Sequence, residues 1–168
     1  MHSCDKNENK TGFDQIRQLV SGYCLSEPGK QQLGRIAFSD NYHQILHELD
    51  LSNEMKTVLT TDDPFPSDDY YDLSDELSRL ITPGTFIDIE EMNQLRLSYI
   101  TIQEIHNYIK QRQHKYPFLF QLTANTVIHD DLICNINRIL NEKGEIRDDA
   151  SEELKAIRQE MTAVQSQI

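Results

Sequence analysis

The chain has 168 residues, 38% of them hydrophobic and 26% charged, with a formal net charge of −12. That balance is a soluble globular protein's and excludes a disordered or low-complexity chain. The acidic excess argues against a bare nucleic-acid-binding domain, because phosphate neutralisation by cations supplies most of the affinity of such domains.

Three cysteines, Cys4, Cys24 and Cys134, are odd in number, far apart and without a CxxC pair. They point to a reducing, cytoplasmic setting. Met1 to Thr11 is polar and has no apolar stretch of the signal-peptide kind. No run approaches membrane-span length, so no membrane partner is expected. Val is scarce, Leu, Ile, Glu and Gln are common, and few Gly or Pro interrupt the chain. All of this favours helix over sheet.

Residues 1–11 read as a flexible tail. From Phe13 the apolar positions Phe13, Ile16, Leu19, Val20 and Tyr23 keep helical spacing. Ser26 reads as an N-cap, with Glu27 and Pro28 in the first turn of a second helix that runs to about Ala37. A tight corner at Leu25 joins the two. Asn41-Tyr-His-Gln44 has the form of a capping box and opens a helix to about Thr61. Pro64 and Pro66 stand among aspartates in Thr61 to Asp72, which reads as a loop. A short helix, Leu73 to Ile81, ends at Thr82-Pro83-Gly84.

Asp88-Ile-Glu-Glu91 is a second capping signal, and it opens the longest internal helix, to about His114. Met92, Leu95, Tyr99, Ile102, His106 and Ile109 form its apolar seam. Tyr116-Pro117 breaks it. A short apolar piece, Phe118 to Leu122, leads to a wide-faced helix from about Asp130 to Leu140. Asn141 to Arg147 has room for a short strand pair. Ser151 then starts a terminal arm in which Leu154, Ile157, Met161, Val164 and Ile168 follow at spacings of three, four, three and four. That is a heptad seam, which wants a partner helix. The chain stops on the seam with no Gly or Pro, so the expectation is a piece of something longer, cut inside a helical arm.

Few residues carry a chemical motif. Gly29-Lys30 lacks the upstream glycine and the following Ser or Thr of a P-loop. No cofactor is expected in the chain itself. His43 and His47 stand four apart but lack the Glu of a zincin helix and a third ligand, and read as a solvated face. Asp62-Asp63, the Asp68–Asp72 cluster, Asp130-Asp131 and Asp148-Asp149 match no EF-hand spacing. Most sit at helix starts, where anions favour the dipole. Cys24 and Cys134 fall on apolar faces and read as small core residues. No catalytic, cofactor or metal residue is assigned. The one dense cationic cluster holds Lys110, Arg112, His114 and Lys115. It is a helix end complementing the dipole, or a phosphate patch on Lys110, Arg112 and Lys115.

Several stretches resemble the bacterial MutS-II proteins, the Smr-bearing branch of the MutS ATPases. They are Phe13-Asp-Gln-Ile-Arg17, Tyr23-Cys-Leu-Ser26 with Gly29-Lys30, Gly84-Thr-Phe-Ile-Asp-Ile-Glu-Glu91, and above all Gly144-Glu-Ile-Arg-Asp-Asp-Ala-Ser151 with Glu153-Leu154 and Ile157-Arg158. The resemblance runs from Phe13 over nearly the whole chain. It implies the N-terminal part of a helical core and lever, joined in the parent to a DNA-facing clamp and a P-loop ATPase that uses ATP and Mg, with an Smr endonuclease domain at the end. The family is linked to mismatch repair and anti-recombination through branched DNA, and to collided ribosomes. A homodimeric parent is implied. No family site residue transfers to this chain. The mismatch-reading Phe-x-Glu wedge of true MutS has no counterpart, since none of the six Phe is followed two residues later by Glu.

The expected fold is all-α: an antiparallel multi-helix bundle with a protruding C-terminal coiled-coil arm. Residues 12–150 form the helical core and lever domain, and 151–168 the start of the arm. The seam Leu154, Ile157, Met161, Val164 and Ile168 is the expected interaction surface. The expected partners are the remainder of the chain's own clamp and ATPase domains, with DNA or ribosomes bound through those missing parts. The alternative is a free-standing acidic helical module that binds a partner helix. A weaker alternative is a metal enzyme using the aspartates of 62–72.

Overall fold

Asp88 and Glu91 fix the start of the longest helix. The Asp88 carboxylate accepts from the backbone nitrogen of Glu91 at 2.8 Å, and the Glu91 carboxylate accepts from the backbone nitrogen of Asp88 at 2.9 Å. Two of the donors that a helix start leaves orphaned are thus satisfied reciprocally. The computed structural model describes residues 11–24, 26–61, 64–67 and 69–165, and this helix is one of eight among those described residues. In chain order they are α1 (Phe13–Ser21), α2 (Glu27–Arg35), α3 (Tyr42–Thr61), α4 (Ser74–Arg79), α5 (Ile89–Gln111), α6 (Pro117–Thr123), α7 (Asp130–Ile139) and α8 (Glu152–Gln165). Among the described residues there is no strand, only an isolated antiparallel bridge between Leu140 and Ile146. The chain is all-helical, as expected. The tail 1–10, the corner Leu25, the aspartates Asp62, Asp63 and Asp68, and the seam residue Ile168 lie outside the described residues.

Side-chain caps set several of the helix starts. Ser26 accepts from the backbone nitrogen of Gly29 at 3.3 Å, with Pro28 in the first turn, as its sequence predicts. At α3 only half of the expected box forms. Asn41 accepts from the Gln44 nitrogen at 3.2 Å, but the Gln44 side chain accepts from the Ser39 hydroxyl instead. Ser39 also takes the Asn41 nitrogen. Three helices end earlier than the spacing suggests. Helix α2 stops at Arg35 because Ile36 turns extended, helix α4 is confined to Ser74–Arg79, and α5 ends at Gln111. End residues lack intrahelical partners, so local contacts rather than propensity place them.

The chain divides into two compact units. One holds the described residues up to Phe65 together with Gln113–Leu122; the other holds Pro66–Arg112 and Thr123 onward. In the first, α1 packs on α2, and Arg17 donates to the Ile36 carbonyl at 2.7 Å. Glu54 of α3 caps the start of α6, accepting from the backbone nitrogens of Phe118 (3.2 Å) and Leu119 (2.9 Å). Val58, Tyr116 and Leu119 are its buried apolar residues.

In the second unit, α5 packs on α7, and Leu73, Tyr108, Ile109, Ile136 and Leu140 are buried. The α5 seam is not its most buried stripe. Arg96, Ser98 and Thr101 are buried, whereas Met92, Leu95, Tyr99, Ile102 and His106 are half-buried. Polar groups reach these depths only with partners. The Ser98 hydroxyl accepts from the Tyr71 backbone nitrogen at 2.8 Å, and so ties the proline-containing loop to α5. Cys134 is exposed, which corrects its reading as a core residue; Cys24 is half-buried. Cys134 lies on the exposed side of α7, whose buried position Ile136 leads to Leu140.

Candidate functional site at the base of the terminal helix

The turn from Asn141 to Ile146 is built around one side chain. The Asn141 carboxamide oxygen accepts from the backbone nitrogens of Lys143 (2.9 Å) and Glu145 (3.0 Å), while its amide donates to the Glu145 carboxylate at 3.0 Å. Asn commonly closes turns this way. Gly144 sits at φ 79°, the left-handed region, and a Cβ there would meet the Asn93 carboxamide carbon at 2.6 Å. Glycine is therefore needed twice over, for the backbone angle and for the close approach to α5.

Arg96 bonds the turn to the body. It is 7% exposed. Its guanidinium donates to the Asn93 side-chain oxygen (2.7 Å), the Asn141 carbonyl (2.8 Å) and the Asn137 side-chain oxygen (3.4 Å). All three acceptors are neutral. Its Nε is buried without a partner. Helices α5 and α7 and the turn thus converge on one buried cation.

Beyond the turn, Arg147 donates to Asp149 through Nε at 2.9 Å and through a second nitrogen at 3.1 Å. That hydrogen bond holds the Asp149 carboxyl below the usual carboxylate range and raises the Arg147 guanidinium. Arg158 reaches back from α8 to Asp148 at 3.4 Å. Ser151 caps α8 by accepting from the Leu154 nitrogen at 3.1 Å. An open cleft of about 800 Å³ lies here, lined by Arg147, Asp149, Lys155, Arg158 and Thr162 among others. Polar positions of α8 thus border the cleft. The apolar seam is on other positions of the helix: Ile157, Met161 and Val164 are 54%, 54% and 61% exposed, and Leu154 is half-buried.

The other sequence candidates are spread out. Lys110 and Arg112 belong to the second unit and Lys115 to the first. Arg112 lies over the Tyr108 ring at 3.9 Å and Lys115 over the Tyr116 ring at 5.1 Å, so each has an aromatic neighbour. His43 and His47 are exposed, edge-on to Tyr42 and Phe118. Among the described residues no cluster of His, Cys, Asp or Glu is arranged to hold a metal ion. Gly29 lies in the first turn of α2, and Lys30 pairs with Glu27 at 3.0 Å. No described helix is long and apolar enough to cross a membrane.

Sequence reasoning passed over Arg96. Its signal is an Arg within an otherwise apolar-seamed helix, with Asn93 three residues before it and a second pair, Asn137 and Asn141, four apart.

No family model and no solved structure matches the chain. Curated proteins do. An Endonuclease MutS2 from Pelotomaculum thermopropionicum is 25% identical over 156 residues, covering 93% of this chain and 20% of the relative. One from Lactobacillus johnsonii is 21% identical, over 95% of this chain and 20% of the relative. A putative endonuclease MutS2 from Bacillus subtilis is 23% identical over 93% and 20%. The likeness is to the MutS-II family. It extends over nearly the whole chain, which spans about a fifth of the length of the MutS2 relatives it matches.

Proposed function

We propose that the chain is the N-terminal helical core and lever region of a longer MutS-II-like protein, with a mechanical and not a catalytic role. In this reading its helices form an antiparallel bundle, and α8 is the first part of a coiled-coil arm. The parent is a homodimeric ATPase that binds branched DNA or collided ribosomes through other regions, with ATP and Mg held there. One observation carries the reading. Helix α8 carries a heptad seam whose Ile157, Met161 and Val164 are more than half exposed, in a chain that spans about a fifth of its relatives' length. A seam so presented calls for a second helix.

The test is to follow the reading frame past Ile168. A P-loop of the form GxxxxGK[ST] and a second heptad stretch are expected. Co-purification of this chain with that downstream product, lost in Met161→Glu, would support the lever. A frame without either, and a chain that captures an unrelated acidic-tolerant helix instead, would favour the free-standing interaction module. The same outward seam is the feature that keeps that second reading in view.

A further inference from the structure

We propose that Arg96 is a latch: by gripping the Asn141 turn with neutral acceptors alone, it sets the pose of α8 and can release it as a unit. Asn93 and Asn137 turn their carboxamide oxygens to the guanidinium from two helices, and the Asn141 carbonyl does so from the turn. Gly144 brings the turn close enough to Asn93 that no side chain fits between them. A purely structural cross-link of α5 and α7 would be better served by apolar side chains of the same volume, since a buried charge is costly to desolvate. Nor is the charge matched. No carboxylate bonds it, and Nε is left with a buried, unused donor. The grip is therefore weaker than a carboxylate-paired one, because charge-assisted bonds between two ions are the strong kind.

Only the Asn141 carbonyl belongs to the element that leads into α8. Losing that bond frees the turn while Asn93 and Asn137 still hold the guanidinium. A guanidinium does not titrate in the physiological range, so pH does not work the latch. Displacement of α8, or an acceptor that competes for Arg96, does. The latch is independent of the lever reading and would operate in a free-standing module as well.

The test is amide hydrogen exchange on the full chain, read at the turn amides that bond within the hairpin: Asn141 to Glu145, Gly144 to Asn141, and Arg147 to Ile139. In Arg96→Met these amides should exchange at least about tenfold faster, with α5 and α3 unchanged, as expected of a local opening. Asn93→Asp supplies the missing countercharge and should slow them. In the Arg96→Met background the same Asn93→Asp change should speed them, since a half-buried carboxylate is then left unpaired. That reversal of sign is the signature of the latch, and a packing role would not produce it. Equal protection of the turn in Arg96→Met, the same sign for Asn93→Asp in both backgrounds, or a uniform acceleration across the second unit would each overturn the proposal. Should Arg96→Met fail to fold, Arg96→Lys replaces it: a smaller acceleration at the turn is expected, and none overturns the latch.

Discussion

Glu54 holds the start of a helix sixty-five residues further along: its carboxylate accepts from the backbone nitrogen of Leu119 at 2.9 Å. The same carboxylate takes the Phe118 nitrogen, so one side chain of α3 satisfies two of the orphan donors of α6. Hydrogen bonds to a charged acceptor contribute about 1.5–3 kcal/mol each in partly buried settings. Glu54→Ala should therefore destabilise the first unit by roughly 2 kcal/mol, and Glu54→Gln, which keeps one acceptor, by less. Urea melts followed by the near-ultraviolet tyrosine signal would check both. Equal losses in the two variants would mean that the carboxylate acts by packing and not as a cap.

The capping box of α5 is a second, more local support. Asp88→Ala removes the acceptor for the Glu91 nitrogen and frees the Glu91 carboxylate from its return bond. A loss of about 1 kcal/mol is expected, with most of it recovered in Asp88→Ser. Glu91 also accepts from Arg79 at 2.8 Å and 3.0 Å, which joins α4 to the start of α5. Fraying in Asp88→Ala should therefore extend to the amides of Ser74–Arg79, and hydrogen exchange would reveal it.

These two helix starts mark the boundary of what the sequence discloses. Asp88 and Glu91 lie three apart, and their box is legible because both partners sit in one turn. The same holds for Ser26, Ser151 and the helices that follow them. Glu54 and Leu119, or Ser98 and Tyr71, meet only after folding, and no local period encodes them. The burial pattern misled for the same reason. Hydrophobic spacing gives a helix its faces but not what covers them, so Leu19 and Tyr23, on the apolar spacing of the first helix, are exposed, while Arg96 lies buried. The Asn41 box failed by halves because Ser39, two residues upstream, competes for Gln44.

Asp149 gives a pH dependence whose sign is fixed. Its folded carboxyl titrates below the usual range, chiefly through the Arg147 hydrogen bond. The unfolded chain therefore binds the proton first as pH falls. The contribution to stability is complete above the ordinary carboxylate range and is lost as pH drops through the lowered value. The group is exposed, so the effect is small and screened by salt. A side-chain carboxyl titration by NMR should find Asp149 below the other surface aspartates, and Arg147→Ala should return it to their range. An Asp149 that titrates with its neighbours in the wild-type chain would remove this link between the turn and α8.

The seam of α8 gives the most direct test of how the chain is used. Ile157, Met161 and Val164 are open to solvent on a helix anchored by Ser151 and by the Arg158–Asp148 pair on its polar side. Exposed apolar stripes of this kind tend to find a partner. At high concentration, and with no other helix supplied, the available partner is a second copy. Sedimentation of the chain should then show concentration-dependent association, and Met161→Glu should abolish it by placing a charge in the middle of the stripe. Because Met161 is half exposed, the substitution should leave the melt of the rest within about 0.5 kcal/mol, as for a surface change. Association that survives Met161→Glu would move the contact to another apolar face, of which α1 with Leu19 and Val20 is one. Unfolding of both units together with α8 would instead make the terminal helix part of the core and count against an arm.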